Sequence, residues 1–95
     1  MISVKVEFIG TLQRSAGKRR LEVTLDEPAT VMSLIRKLKS SLKMKSGILT
    51  DEEATVPRSS ILILVNYKEI SVLEGLETIL KDAALITFIP VSHGG

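Results

Sequence analysis

Residues 31 to 42 carry the strongest constraint on the fold, an apolar stripe that cannot stay in water. Val31, Leu34, Ile35, Leu38 and Leu42 fall at offsets 0, 3, 4, 7 and 11, the spacing of one face of an α-helix. Arg36, Lys37, Lys39 and Lys43 lie off that face, and cations late in a helix suit its dipole. Thr30 precedes the stripe as an N-cap, its hydroxyl able to accept from a free N–H of the first turn, and Gly47 is the expected stop. Such a helix has to be covered, and the flanking residues are patterned as strands, so its cover is a sheet.

Ile2, Val4, Val6 and Phe8 alternate with Ser3, Lys5 and Glu7, the pattern of a half-buried strand. Ile9 breaks the alternation and is expected to point toward solvent. Gly10 to Lys18 reads as a turn, and Leu21, Val23 and Leu25 alternate with Glu22 and Thr24 as a second strand, closing a hairpin. Asp26-Glu27-Pro28 ends it. Residues 46–60 form a polar connection. Ile61-Leu62-Ile63-Leu64-Val65 then reads as a central strand covered on both sides. Asn66 to Glu69 reads as a turn, 70–73 as a short strand, 76–80 as a short helical turn, and Leu85 to Ile89 as the last strand. Pro90 cannot donate to a ladder, so pairing is expected to weaken there. The order predicts a mixed sheet with the helix on one face and the other face bare unless a partner covers it.

Length and composition narrow the chemistry. The chain has 95 residues, enough for one core and one domain. It has no cysteine, so thiolate nucleophiles, disulfides and cysteine zinc sites are unavailable. Its one histidine, His93, allows no histidine cluster. Gly10 to Lys18 fails as a phosphate loop, because six residues separate Gly10 from Gly17 where four are needed and Arg19 stands where Ser or Thr is required. No apolar run is long enough to cross a membrane, and Met1-Ile2-Ser3-Val4-Lys5 reads as a strand and not a signal peptide, so the expectation is a cytoplasmic protein. The net charge is +2, and Lys18-Arg19-Arg20 and the helix lysines have no interleaved aromatics, so they read as solvated charge and not as a nucleic-acid site.

The remaining unusual feature is the ending Ser92-His93-Gly94-Gly95. A terminal glycine pair is a slender strip closed by a carboxylate, able to thread a channel that a bulkier residue would block. The five residues from Val91 on reach roughly 17 Å when extended. Gly-Gly alone is equally compatible with an ordinary frayed terminus.

Residues 61–95 resemble the C-terminal half of the ubiquitin-related modifiers and sulfur-carrier proteins, a group that includes the molybdopterin synthase small subunit (MoaD) and the thiamine sulfur carrier (ThiS). The resemblance rests on Val56-Pro57-Arg58-Ser59-Ser60 leading into 61–66, on Leu76-Glu77-Thr78-Ile79-Leu80-Lys81-Asp82, on Ile86-Thr87-Phe88-Ile89, and on His93-Gly94-Gly95. The His-Gly-Gly ending and the long connection before the third strand are most similar to the eukaryotic ubiquitin-related modifier and its archaeal relatives. Val4 to Phe8, the loop with Gly17-Lys18 and the helix after Thr30 agree in order. One departure stands out. The family often has an acidic-glycine-acidic turn before the last strand, whereas Asp82 is followed here by Ala83-Ala84. Alanine dislikes positive φ, so this turn is expected to use another geometry.

The resemblance implies an α+β fold of the β-grasp (ubiquitin-like) type, a mixed sheet with one main helix packed on one face, over residues 1–91, with a flexible Gly-Gly tail over 92–95. It implies a carrier and not an enzyme. The Gly95 carboxylate, behind Gly94, is adenylated by a ubiquitin-activating-type enzyme. It then becomes a thiocarboxylate that donates sulfur for tRNA thiolation or a cofactor, or it is captured by lysines of target proteins. ATP and magnesium belong to that enzyme, and no cofactor or metal is intrinsic to this chain. The implied partners are the activating enzyme and sulfur donor and acceptor proteins, with no membrane and no direct nucleic-acid contact. Ile86 and Phe88 are expected in the core with Thr87 and Ile89 outward. Pairing of the first and last strands would gather Ile9, Ile89 and Val91 into one exposed apolar patch at the root of the tail, which reads as a docking site or as scattered surface isoleucines, and His93 reads as a spacer or an enzyme contact. A dedicated molybdopterin synthase small subunit and a non-activated β-grasp interaction module are the alternative readings.

Overall fold

The two alternating segments form the predicted hairpin in the computed structural model, which describes residues 1–42, 49 and 60–91. Strand β1 (Ile2–Phe8) runs antiparallel to β2 (Arg20–Leu25), with Ile2 opposite Leu25, Val4 opposite Val23 and Val6 opposite Leu21. Ile2, Val4, Val6, Phe8, Val23 and Leu25 are buried on one face, as the period of two demands. The link between these strands is not the plain turn expected. It holds a one-turn helix, α1 (Leu12–Ala16), that buries Leu12 and Ala16 at the i, i+4 spacing. Gly17 ends it at φ 75°, its N–H donating to the Gln13 carbonyl, the left-handed cap that glycine adopts without a Cβ clash.

Thr30 caps the main helix as its sequence position suggests. Its hydroxyl accepts from the Ser33 N–H at 3.1 Å, and the Ser33 hydroxyl accepts from the Thr30 N–H at 2.7 Å, so the two satisfy each other. Helix α2 (Val31–Leu42) buries Val31, Leu34, Ile35 and Leu38, and Leu42 packs partly buried at its far end. Lys43, Gly47 and most of the 46–60 connection lie outside the described residues; Leu49 is buried in the core.

Beyond the connection, β4 (Ile61–Val65), β5 (Lys68–Glu69), β6 (Ile79–Leu80) and β7 (Leu85–Pro90) follow. The five-stranded mixed sheet has the order β2-β1-β7-β4-β5, with β7 parallel to β1 and antiparallel to β4. Residues Ala29–Thr30 form β3, which pairs with β6 in a second, two-stranded sheet. The assembly is a ubiquitin-like β-grasp fold.

Several expectations are corrected here. The turn is confined to Asn66 and Tyr67, at φ 49° and 71°, so β5 starts at Lys68. Residues 70–72 are a 3-10 turn and not a strand; Glu69 caps it by accepting from the Ser71 N–H at 3.0 Å. The helical turn is 75–77 and gives way to β6 at Ile79. The apolar run 61–65 is covered on one side only. Ile61, Ile63 and Val65 enter the core, while Leu62 is 39% exposed on the face without a helix. Thr87 is buried, because β7 lies mid-sheet and neighbouring side chains close over it.

Ala83 gives the sharpest correction. It adopts φ 68°, the left-handed conformation, in spite of its Cβ. The turn is held from outside: the Ala83 N–H donates to the Ser3 carbonyl at 2.7 Å and the Ser3 N–H donates to Asp82 Oδ1 at 2.8 Å. Strand β1 therefore imposes the geometry that alanine resists.

Candidate functional site

The expected site is the end of the chain, and the structure describes its root. Strand β7 emerges between β1 and β4, and the Val91 N–H donates to the Ser60 carbonyl at 2.8 Å. Pairing thus continues one residue past Pro90. On the other side Pro90 turns toward β1 and has no N–H to offer the Ile9 carbonyl, so the ladder to β1 stops there, its last paired residues being Phe8 and Phe88. Beyond them the Ile9 N–H donates to the Phe88 carbonyl at 3.0 Å, and the chain turns away at Gly10, φ 58°. The Pro90 ring sits against Gly10, where an added Cβ would lie 3.3 Å from Pro90 Cγ. His93, Gly94 and Gly95 lie outside the described residues.

The first and last strands pair, so Ile9 and Ile89 come together on the sheet face opposite α2. Both are half-buried and not open, as is Val91, which follows on the same alternation. Two residues that sequence reasoning left out join them. Leu62 is directly opposite Ile89, and the half-buried Leu64 is opposite Thr87. The signal was available in the alternation inside 61–65, once one half of the run faced the helix. The apolar strip therefore spans β1, β7 and β4 beside the tail root. Toward β2 it gives way to charge: Arg20 Nε donates to Glu7 Oε2 at 2.7 Å across β1 and β2.

The described residues hold no group of three or more His, Asp or Glu side chains placed for a metal ion. No described helix is long and apolar enough to cross a membrane.

The β-grasp body agrees with the comparison to known proteins. The chain matches the Urm1 (Ubiquitin related modifier) family model over residues 3–95. It belongs to the ubiquitin-related modifier family. Ubiquitin-related modifier 1 of Saccharomyces cerevisiae (strain YJM789) is 30% identical over 101 residues, an alignment that covers 100% of both chains. The solution structure of the small archaeal modifier protein 1 from Methanosarcina acetivorans superposes with a TM-score of 0.80 at 31% identity, covering 100% of this chain and 98% of that one. A chain of the Amycolatopsis orientalis BexX/CysO complex superposes with a TM-score of 0.79 at 28% identity, covering 97% of this chain and 99% of that one. The fold of this chain thus recurs in Methanosarcina acetivorans and in a chain of an Amycolatopsis orientalis complex.

Proposed function

We propose that this ubiquitin-related modifier is a sulfur carrier and protein modifier whose reactive group is the Gly95 carboxylate. The observation that carries the reading is a family match that runs through Gly94 to Gly95. It is supported by a body in which Val91, four residues earlier, is still tied to Ser60. Residues 1–91 serve as the recognised body and 92–95 as the reacting tail.

A carboxylate repels nucleophiles, so it needs a leaving group. Attack of the Gly95 carboxylate on the α-phosphorus of ATP gives an acyl-adenylate and releases pyrophosphate. Hydrosulfide then adds to the acyl carbon and expels AMP, leaving a thiocarboxylate. With a persulfide the first product is an acyl disulfide, and a second thiol reduces it to the same thiocarboxylate. A lysine amine attacking the adenylate gives an isopeptide bond instead. ATP and magnesium are held by the activating enzyme, and this chain contributes the carboxyl, a docking surface and a tether. Ile9, Ile89 and Val91, extended by Leu62, form that docking surface, and His93 is a further contact for the enzyme. An apolar strip at the tail root lets one enzyme hold the body while it works on the end.

Reconstitution with ATP and candidate activating enzymes tests the reading. Full-length chain should form an adenylate and, with a sulfur donor, gain the mass difference of one oxygen replaced by sulfur. Chain lacking Gly95 should do neither. Protein from its native cell should carry the same mass change, or its targets should carry lysines with a Gly-Gly remnant. Absence of all these products would leave a β-grasp interaction module. Isolation only in a stable complex with a large catalytic subunit would indicate a molybdopterin synthase small subunit.

A further inference from the structure

The basic run at 18–20 is not absorbed by the tail chemistry, and it opens β2, which is an edge of the sheet. The Phe8 N–H donates to the Arg19 carbonyl at 2.9 Å, which fixes the hydrogen-bonding parity of the hairpin. Leu21, Val23 and Leu25 therefore turn their backbone groups toward β1, and Arg20, Glu22 and Thr24 turn theirs outward. Among the described residues no strand lies beyond that edge.

Natural edges are usually blunted by charged side chains, lysine above all. On this edge the two central charges are opposite in sign and can pair with those of a second copy. Arg20 and Glu22 are both exposed, on the same face, two residues apart and opposite in charge. We propose that the β2 edge is a self-association surface, on which β2 of a second copy pairs antiparallel about a two-fold axis at Leu21.

Of the registers centred at Arg20, Leu21 and Glu22, one suits both backbone and charge. With Leu21 opposite Leu21 of the second copy, Arg20 faces Glu22 of the second copy and Glu22 faces its Arg20. Both pairs consist of outward-turned residues and can exchange both backbone hydrogen bonds. Shifting by two residues either way places Glu22 on Glu22 or Arg20 on Arg20. A shift of one sets outward groups against inward ones and breaks the ladder. Within each copy, Glu7 is already ion-paired with Arg20, and Lys5 is the cross-strand neighbour of Glu22. The favoured register therefore extends these into two unbroken rows, Glu7–Arg20–Glu22–Lys5 and its inverse, alternating in sign across both molecules. On the opposite face the half-buried Leu21 side chains meet, with Cα atoms about 4.5 Å apart in a non-hydrogen-bonded pair. Strand β1 separates β2 from β7, so both tail roots stay clear of this contact.

The test uses full-length chain and two exposed charge reversals. Sedimentation and backbone amide shifts are followed from micromolar to about 1 mM, with tighter association expected at low salt. Wild type should dimerise reversibly, with the amides of Arg20 and Glu22 shifting most. Glu22→Arg and Arg20→Glu should each weaken self-association at least about tenfold, because like charges then face each other. An equimolar mixture of the two variants should associate again, since every facing pair in the heterodimer is opposite in sign. Wild type that stays monomeric to about 1 mM, concentration-dependent shifts that map elsewhere, or a mixture no more associated than either variant alone would each overturn the proposal.

Discussion

Pro90 lies against the bare Cα of Gly10, just beyond the last pair that joins β7 to β1. A side chain at Gly10 would meet two obstacles, the positive φ of 58° and the Pro90 ring 3.3 Å away. Gly10→Ala should cost about 1–2 kcal/mol, mostly from the left-handed backbone. Urea unfolding measures the cost, and the Val91 amide shift reports displacement of the tail root. An unchanged midpoint would mean that the turn can adopt another conformation.

Ala83 offers the opposite experiment. It holds φ 68° because β1 grips its turn. Ala83→Gly removes the Cβ clash but adds unfolded-state freedom, so the net gain is about 0.5–1 kcal/mol. Thermal and urea midpoints should both rise. A fall would show that the Ala83 methyl makes a contact worth more than the strain.

The reciprocal bonds between Thr30 and Ser33 start the helix that fills the core. Thr30→Ala should destabilise by about 1 kcal/mol, and Thr30→Ser should restore most of the loss. Equal losses in the two variants would assign the effect to packing of the Thr30 methyl and not to the cap.

Leu62 separates docking from folding more cleanly than Ile89, because it is 39% exposed while Ile89 is half-buried beside it. Leu62→Arg should leave stability within about 0.5 kcal/mol of wild type and slow adenylation of the tail. Ile89→Asp should slow adenylation as well and also cost about 1–3 kcal/mol, since it sets a charge in a half-buried place. Unaltered adenylation kinetics for both variants would remove the apolar strip from the docking surface.

The long periodic elements were legible in the sequence. The Leu/Ile stripe of 31–42 and the alternation of 2–8 and 21–25 each repeat a burial pattern several times over, so local and global demands agree. Two-residue strands carry no such repeat. Ala29–Thr30 and Ile79–Leu80 pair because the surrounding fold brings them together. Helix α1 was hidden by the glycines on either side of it, although Leu12 and Ala16 carried the i, i+4 signal. Burial of Thr87 follows from the position of β7 within the sheet, which alternation alone does not specify. At the site, Ile9 and Ile89 were legible because each follows a strand residue of known parity. Leu62 and Leu64 were not, because five apolar residues in a row conceal which half faces the helix.

The central place of β7 has a mechanical consequence. Its bonds run to β1 on one side and to β4 on the other, all across the strand. Tension applied to the chain end would load both ladders in shear, so they would have to rupture together instead of unzipping one rung at a time. A motor gripping this end would meet its greatest resistance at the first step, and release of that single strand would leave β1 and β4 with no common neighbour.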